Sequence, residues 1–263
     1  MNAFLLHQEI DFTNCLSIIL DCQNVDKPKI TVEKGTHKYI LVANFHAGCE
    51  MEITVEENSI LSLSFLASDN IDNSKITANL QKNAQLLAYF ADFSLGKEKI
   101  NVVINLRGDK AMAYWHLASL AANDDHKEFD VNIYHFGKNT SAISDNYGVC
   151  KDRSKLIFSG CSSINKGSHG SMTRQNAKIM VFDQDCDAIA RPLLKIDEKD
   201  IEASHGAVVG KIPDEHLFYL TSRGLSDFEA KKLITFGYLK PIIKGFKEKN
   251  IQDQIVDLIE RRM

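Results

Sequence analysis

The feature that most constrains the fold of this chain is a slow recurrence of short strand-like segments between residues 28 and 212. In each segment apolar and polar residues alternate, which is the pattern of a β-strand with one buried face. The segments begin at Ile53, Ile76, Ile100, Phe129, Leu156, Ile179 and Ile201, so the intervals are 23, 24, 29, 27, 23 and 22 residues. A repeat of this length is typical of solenoids, in which each repeat forms one coil.

Polar or small-residue turns recur at a similar position in the segments. The predicted turns are Glu57–Asn58, Lys82–Asn83, Gly108–Asp109, Lys138–Asn139, Gly160–Cys161 and Gln184–Asp185. Neither a leucine-rich repeat nor a six-residue repeat is visible, and no helical pattern interrupts the strands. We therefore predict a mainly β fold, a parallel β-helix of seven coils in which the alternating residues Ile100, Val102, Ile104 and Leu106 face inward. A β-sandwich of short strands is the alternative.

Beyond the strand segments the pattern becomes helical. Pro213 and Asp214 predict the start of a helix, and Gly224 predicts its end. Ser226, followed three residues later by Glu229, predicts a capping box for a second helix.

We expect Gly237 to end that second helix. A last amphipathic helix is predicted from the spacing of Ile251, Ile255, Leu258 and Ile259. The predicted organisation is a lead-in at residues 1–27, a β-helix core at 28–212 and a helical domain at 213–263.

Composition and charge exclude several classes of protein. The net charge of -4 argues against nucleic-acid binding, which needs clustered Lys and Arg. No run of about 18 apolar residues is present, so no membrane span is predicted. The first residues, MNAFLLHQEIDF, lack the basic and apolar regions of a secretory signal, and we expect a cytoplasmic protein.

The six cysteines are scattered, and no CxxC pair that would indicate a structural zinc site occurs. We expect them to be buried, reduced side chains. They are Cys15, Cys22, Cys49, Cys150, Cys161 and Cys186.

Residues 191–230, RPLLKIDEKDIEASHGAVVGKIPDEHLFYLTSRGLSDFEA, resemble the C-terminal signature of the SufB/SufD family. The shared features are Pro192, thirteen residues before His205, the SHGAxVG and LFYLxSRGL segments, and an EA that opens a helix. The resemblance implies a right-handed parallel β-helix followed by a small C-terminal helical domain.

The resemblance also implies a function. Members of this family are non-catalytic scaffold subunits of iron–sulfur cluster assembly that pair through their β-helices, while their helical domains dock on the ABC-type ATPase SufC. Sulfur comes from a cysteine desulfurase, and a transient cluster or iron is shared between chains. The implied partners are therefore a SufC-like ATPase and either a SufB-like chain or a second copy of this chain.

The departures from the motif indicate the SufD type. SufB-type members carry Glu directly after the motif histidine and Cys twenty-eight residues before it, where this chain has Gly206 and Ala177. His205 is then the contribution to the shared site, since a neutral imidazole binds iron well. The alternative is that His205 stabilises the end of the column by hydrogen bonding. Cys161 or Cys186 remains open as a spatial substitute for the absent cysteine.

The resemblance places the ATPase contact on the helices. Because aromatic residues and Arg are enriched at interface cores, Tyr219, Arg223, Gly224 and Phe236 form the candidate docking surface. We expect Phe218 to lie in the helical core.

Three further histidines are weak candidates for a metal site. His116, His135 and His169 are 19 and 34 residues apart, which are not multiples of one coil, so we do not expect them to align. Walker, GxSxG and HExxH motifs are absent, and we expect no enzyme activity and no bound nucleotide. A polysaccharide lyase, or a purely structural homodimer that regulates the ATPase, remains the alternative.

Overall fold

The structure, a computed structural model, describes residues 16–263. The odd-numbered strands are β1 (Leu16–Asp21), β3 (His37–Ala43), β5 (Ile60–Ala67), β7 (Gln85–Asp92), β9 (Met112–Ala121), β11 (Ser141–Cys150), β13 (Ser171–Val181) and β15 (Ile201–Lys211). The even-numbered strands are β2 (Lys29–Val32), β4 (Glu50–Val55), β6 (Ser74–Leu80), β8 (Lys97–Leu106), β10 (His126–His135), β12 (Lys155–Ile164) and β14 (Asp187–Ile196).

The strands form two parallel sheets. The larger sheet has the order β1-β3-β5-β7-β9-β11-β13-β15, and the smaller sheet has the order β14-β12-β10-β8-β6-β4-β2. Each coil therefore contributes one strand to each sheet, and successive coils pair in parallel. The prediction of a parallel β-helix is confirmed. Parallel pairing throughout these sheets excludes the antiparallel β-sandwich.

The coil interior follows from the alternation of apolar residues. The predicted inward positions Ile100, Val102, Ile104 and Leu106 are all buried. In the larger sheet, Phe65 stacks on Phe90 with ring centroids 5.1 Å apart, and Phe90 contacts Trp115 at 5.8 Å. Equivalent residues of successive coils thus stack into continuous apolar rows.

Asparagine residues make the turns between strands. Asn58, Asn83 and Asn139 have φ angles of 57°, 54° and 54°, in the left-handed region that Asn tolerates. The Asn83 amide donates to Oδ1 of Asn58 at 2.8 Å, which joins the turns of neighbouring coils.

The predicted turn at Gly160–Cys161 is wrong, because both residues lie inside β12. A Cβ at Gly160 would lie 2.0 Å from the carbonyl oxygen of Val131. Glycine is needed there for close approach between coils, and not for a turn. The other predicted turns are confirmed, although Gln184–Asp185 joins β13 to β14, at the opposite corner of the coil.

The regular spacing predicted for the last repeats is also wrong. The repeats that begin at Ile179 and Ile201 lie in β13 and β15 of the larger sheet, whereas the earlier five lie in the smaller sheet. The coils lengthen along the chain, because β8, β10, β12 and β14 begin at residues 97, 126, 155 and 187. In these longer coils the apolar runs at Ile179 and Ile201, in strands of the larger sheet, lie close to the interval expected for the next strands of the smaller sheet.

The larger sheet begins within the predicted lead-in of residues 1–27, because β1 pairs with β3 in register. The rest of that lead-in, including Cys15, lies outside the described residues.

Three α-helices and one 3₁₀-helix follow the strands in the described chain. They are α1 (Asp214–Ser222), α2 (Asp227–Leu239), the 3₁₀-helix (Lys240–Gly245) and α3 (Lys249–Arg262). The capping box is present, since Glu229 N donates to Ser226 Oγ at 3.2 Å and Ser226 N donates to Glu229 Oε2 at 2.8 Å. Helix α2 continues past Gly237 and passes into the 3₁₀-helix, where Pro241 lies in the first turn.

A second core joins these helices to the outer face of the larger sheet. Leu239, Ile242, Phe246, Ile255 and Ile259 are buried against that sheet. The sheet contributes Tyr39, Leu41, Tyr89, Ala91, Ala118, Leu120 and Val149. Helix α1 has no buried residue. Within residues 16–263, no helix combines the length and apolar character needed to cross a membrane.

Candidate functional site

The last coil leaves one edge of each sheet unpaired in the described part of the chain. Strand β14 is the end of the smaller sheet, and β15 is the end of the larger one. Apolar side chains are exposed on both strands, since Leu193 and Val208 each retain 59% of their accessible surface. Unpaired edges and exposed apolar residues together are features of a surface that another chain can extend.

His205 lies on β15, directly opposite Gln175 on β13. Partners in a parallel register point to the same face of the sheet, and Gln175 is 4% exposed inside the coil. His205 therefore lies on the inward face of the last coil, but its side chain is exposed because no described coil covers it. The neighbouring Gly206 pairs with Asn176, on the opposite face.

The interior becomes polar near His205. Trp115 Nε1 donates to Asn146 Oδ1 at 3.2 Å, and Asn146 Nδ2 donates to Ser144 Oγ at 3.2 Å. Ser144 is the register partner of Gln175, whose Oε1 has no hydrogen-bond partner among the described residues. Sequence reasoning missed this polar row, although Ser144, Asn146 and Gln175 occupy inward positions of alternating strands.

Ala177, at the SufB-type cysteine position, is buried inside the coil. It lines a cavity of ≈ 10 Å³ with Gln175, Gly160 and Pro192. This volume is enough for about one water molecule. The family cysteine position therefore faces the interior, in the register row Asn146–Ala177–Ala207 beside the row that contains His205.

Neither candidate substitute cysteine lines that cavity. Cys161 is half-buried in β12 opposite Leu193, and burial raises the pKa of its thiol. Cys186 lies in the turn before β14, and its Sγ donates to the carbonyl oxygen of Asp152 at 3.6 Å. The structure thus does not bring either thiol to the position of Ala177.

The three other candidate histidines lie on separate elements. His116 is buried on β9 between the rings of Tyr89 and Tyr147, at centroid distances of 5.8 and 5.4 Å. His135 is buried at the end of β10, and His169 lies in an exposed turn. Burial lowers the pKa of both His116 and His135 to about 4. Among residues 16–263, no group of three or more His, Cys, Asp or Glu side chains is arranged to hold a metal ion.

The predicted docking residues have different environments. Tyr219, Arg223 and Gly224 are exposed, and the Arg223 guanidinium lies 5.1 Å from the centre of the Tyr219 ring. Phe236 is half-buried and packs against the second core. The prediction that Phe218 lies in the core is wrong, because this residue is 74% exposed on α1.

Comparison with known proteins agrees with this architecture and motif. The model of the SUF system FeS cluster assembly, SufBD core domain, matches residues 25–238. The chain belongs to the SufB/SufD family. The predicted family is therefore confirmed.

Individual relatives support the SufD type. The iron–sulfur cluster assembly protein SufD of Bacillus subtilis is 31% identical over 159 residues, which is 60% of this chain and 36% of the relative. SufB of the same organism is 27% identical over 139 residues, 53% of this chain and 30% of the relative. SufD of Escherichia coli is 28% identical over 120 residues, 44% of this chain and 27% of the relative. The matched region thus spans about a third of the length of these relatives.

Proposed function

We propose that this chain is a non-catalytic scaffold subunit of iron–sulfur cluster assembly that presents His205 at the open end of its solenoid. In this proposal the last coil pairs with a SufB-like chain or a second copy. The helical region binds a SufC-like ABC ATPase, and a cysteine desulfurase is the source of sulfur. The observation that carries the proposal is the exposed imidazole on the unpaired edge strand of a SufBD-family fold.

The end of the solenoid suits pairing with another chain. The outer edges of β14 and β15 present backbone N–H and C=O groups that an added strand can satisfy. Exposed Leu193, Val208 and Val209 add apolar area to the same coil. Burying this area on association is favourable, at about 25 cal/mol per Å² before the cost of association.

His205 suits a shared site because its imidazole is accessible at this end. A neutral imidazole offers one nitrogen lone pair to iron, which is the cargo of the reaction. Because Ala177 replaces a thiol and neither Cys161 nor Cys186 takes its place, the sulfur ligands in this proposal come from the partner chain.

The hairpin of α1 and α2 suits an ATPase contact. Four large apolar or aromatic side chains on it are at least 50% exposed, namely Phe218, Tyr219, Phe228 and Leu233. Arg223 lies beside Tyr219. Large exposed aromatic residues next to an Arg are the usual composition of an interface core. No residue of α1 is buried by another described element.

The site is tested with His205→Ala in the complex with its partner chain. We expect cluster formation, followed by visible absorption after anaerobic addition of iron and sulfide, to fall roughly tenfold, as expected when a metal site loses an oriented ligand. His169→Ala is the matched control, because His169 is also exposed but lies in a turn. Equal cluster formation in both variants would remove His205 from the site, and no absorption in any sample would favour a purely structural dimer.

The docking surface is tested separately with the double variant Tyr219→Ala, Arg223→Ala. We expect the affinity for the ATPase to fall by about 30-fold or more, since interface hot spots contribute about 2 kcal/mol or more each. Asp253→Ala on the exposed face of α3 is the control. Unchanged affinity in a folded double variant would place the ATPase contact elsewhere.

A further inference from the structure

The solenoid contains two pairs of cysteines, and both pairs lie where a strand of the larger sheet turns into the next strand of the smaller sheet. Cys22 follows β1, and Cys49 precedes β4. Cys150 ends β11, and Cys186 precedes β14. The two cysteines of a pair therefore lie at the same corner of the solenoid, in two different coils.

The second pair is held together by one turn. Cys150 Sγ lies 3.2 Å from Ser154 Oγ and 3.3 Å from the Ser154 carbonyl oxygen. Cys186 Sγ donates to the carbonyl oxygen of Asp152 at 3.6 Å, in the same turn. The backbone N–H of Asp187 donates to Ser154 O at 3.0 Å, which fixes Cys186 beside this turn. Both thiols therefore bond to the same short segment, Asp152–Ser154.

The two pairs differ in solvent access. Cys22 and Cys49 are both completely buried, and so is Cys150. Cys186 is half-buried, so it is the one member of the two pairs that keeps solvent-accessible surface. Burial raises the pKa of Cys49 and Cys150 to about 12, which keeps these thiols protonated and slow to react. The second pair therefore combines a partly accessible cysteine with a completely buried one.

We propose that Cys150 and Cys186 are a site of reversible oxidation, at which a disulfide cross-links the two successive coils that contain β11 and β13. The oxidant is a low-molecular-weight disulfide such as oxidised glutathione. This inference stands on the cysteine geometry and does not depend on the function proposed above.

The chemistry balances as two thiol–disulfide exchanges. The Cys186 thiolate attacks one sulfur of the oxidant, which forms a mixed disulfide and releases the first small thiol. The Cys150 thiol then loses its proton and its sulfur attacks the Cys186 sulfur, which releases the second small thiol. Two electrons pass from the cysteine sulfurs to the oxidant, and the two protons leave on the released thiols.

The cross-link would act on the end of the solenoid that carries the candidate site. Cys186 immediately precedes β14, the unpaired end strand of the smaller sheet, and Cys150 lies one coil inside. A covalent bond between these coils restricts opening of the last coil, because it shortens the chain that is free to unfold.

The test uses the folded chain with oxidised glutathione, followed by blocking of free thiols and peptide mapping by mass spectrometry. We expect a Cys150–Cys186 cross-linked peptide that reductant removes, while Cys22 and Cys49 stay reduced. Cys186→Ser removes the cross-link. Cys161→Ser, which changes the other half-buried cysteine described, leaves it in place.

A second readout is the urea midpoint of unfolding. Oxidation raises this midpoint in the wild type and in Cys161→Ser, and leaves it unchanged in Cys186→Ser. The proposal is overturned if Cys186 is recovered only as its glutathione adduct or unmodified. It is also overturned if Cys22–Cys49 oxidises at the same rate, because the reaction then follows unfolding and not access to Cys186.

Discussion

Gly245 of the 3₁₀-helix packs tightly against the solenoid. A Cβ at this position would lie 2.1 Å from Cγ of Tyr89, whose ring is buried in the second core. We expect Gly245→Ala to lower the free energy of unfolding by about 1–3 kcal/mol, because the ring or the helix must move. Urea denaturation measures this change.

Gly237 supplies the control for that prediction. It is exposed inside α2, and a Cβ there would meet no atom within 4 Å. Gly237→Ala is expected to leave stability unchanged or to raise it by up to about 1 kcal/mol, because Ala favours the helix. Equal effects of the two substitutions would contradict the close packing of Gly245 on Tyr89.

A charged cluster is buried inside the middle coils. Lys127 Nζ lies 2.8 Å from Asp92 Oδ2 and 4.0 Å from Glu98 Oε2, and all three side chains are inaccessible to solvent. Burial, together with the charge of Asp92, raises the pKa of Glu98 to about 8. The folded protein therefore holds a proton on Glu98 at neutral pH, which an unfolded chain releases above its ordinary pKa of 4.5.

This proton makes stability depend on pH. Between pH 4.5 and about 8 the folded state binds one more proton than the unfolded state, so the contribution of Glu98 to stability falls as pH rises. The expected slope is about 1.4 kcal/mol per pH unit in that window, and it disappears above it. Glu98→Gln, which is neutral at every pH, removes this slope, whereas Glu52→Gln on the exposed surface retains it.

At the scale of single elements, α3 is held by one apolar face. Ile255 and Ile259 are completely buried, and Asp257 between them is exposed. We expect Ile255→Ala to cost about 2–5 kcal/mol of stability, because it removes buried methyl groups and leaves a cavity. Asp257→Ala is expected to change stability by less than about 0.5 kcal/mol. Thermal unfolding followed by circular dichroism compares the two, and similar melting temperatures would show that α3 is not docked through this face.

At the scale of the whole molecule, the helices and the solenoid share a core and are expected to unfold together. A chain that ends at Ile212 would expose Tyr39, Tyr89, Leu120 and Val149 on the outer face of the larger sheet. We expect this shortened chain to aggregate, because a contiguous apolar patch of this kind is rarely stable in water. Size-exclusion chromatography checks the prediction, and a monodisperse folded monomer would contradict it.

The sequence alone determined the local structure and the family. Alternating side chains predict which residues of a strand face inward, so the buried set from Ile100 to Leu106 could be predicted from the sequence. The asparagine turns could be predicted in the same way, from local residues alone. The capping box at Ser226 and Glu229 likewise depends only on residues three positions apart. Residues 191–230, which include the SHGAxVG segment, were long enough to predict the family, and the family model confirms that prediction.

Only the tertiary structure decided which strands and side chains are neighbours. Coil length varies, so a local pattern shows that Ile179 begins a buried run but not to which sheet that run belongs. The sequence likewise placed Gly160 in a turn and Phe218 in a core, whereas Gly160 lies inside β12 and Phe218 is exposed. A residue's own neighbours in the chain set its conformation and polarity, whereas its exposure and partners depend on segments that only folding brings beside it.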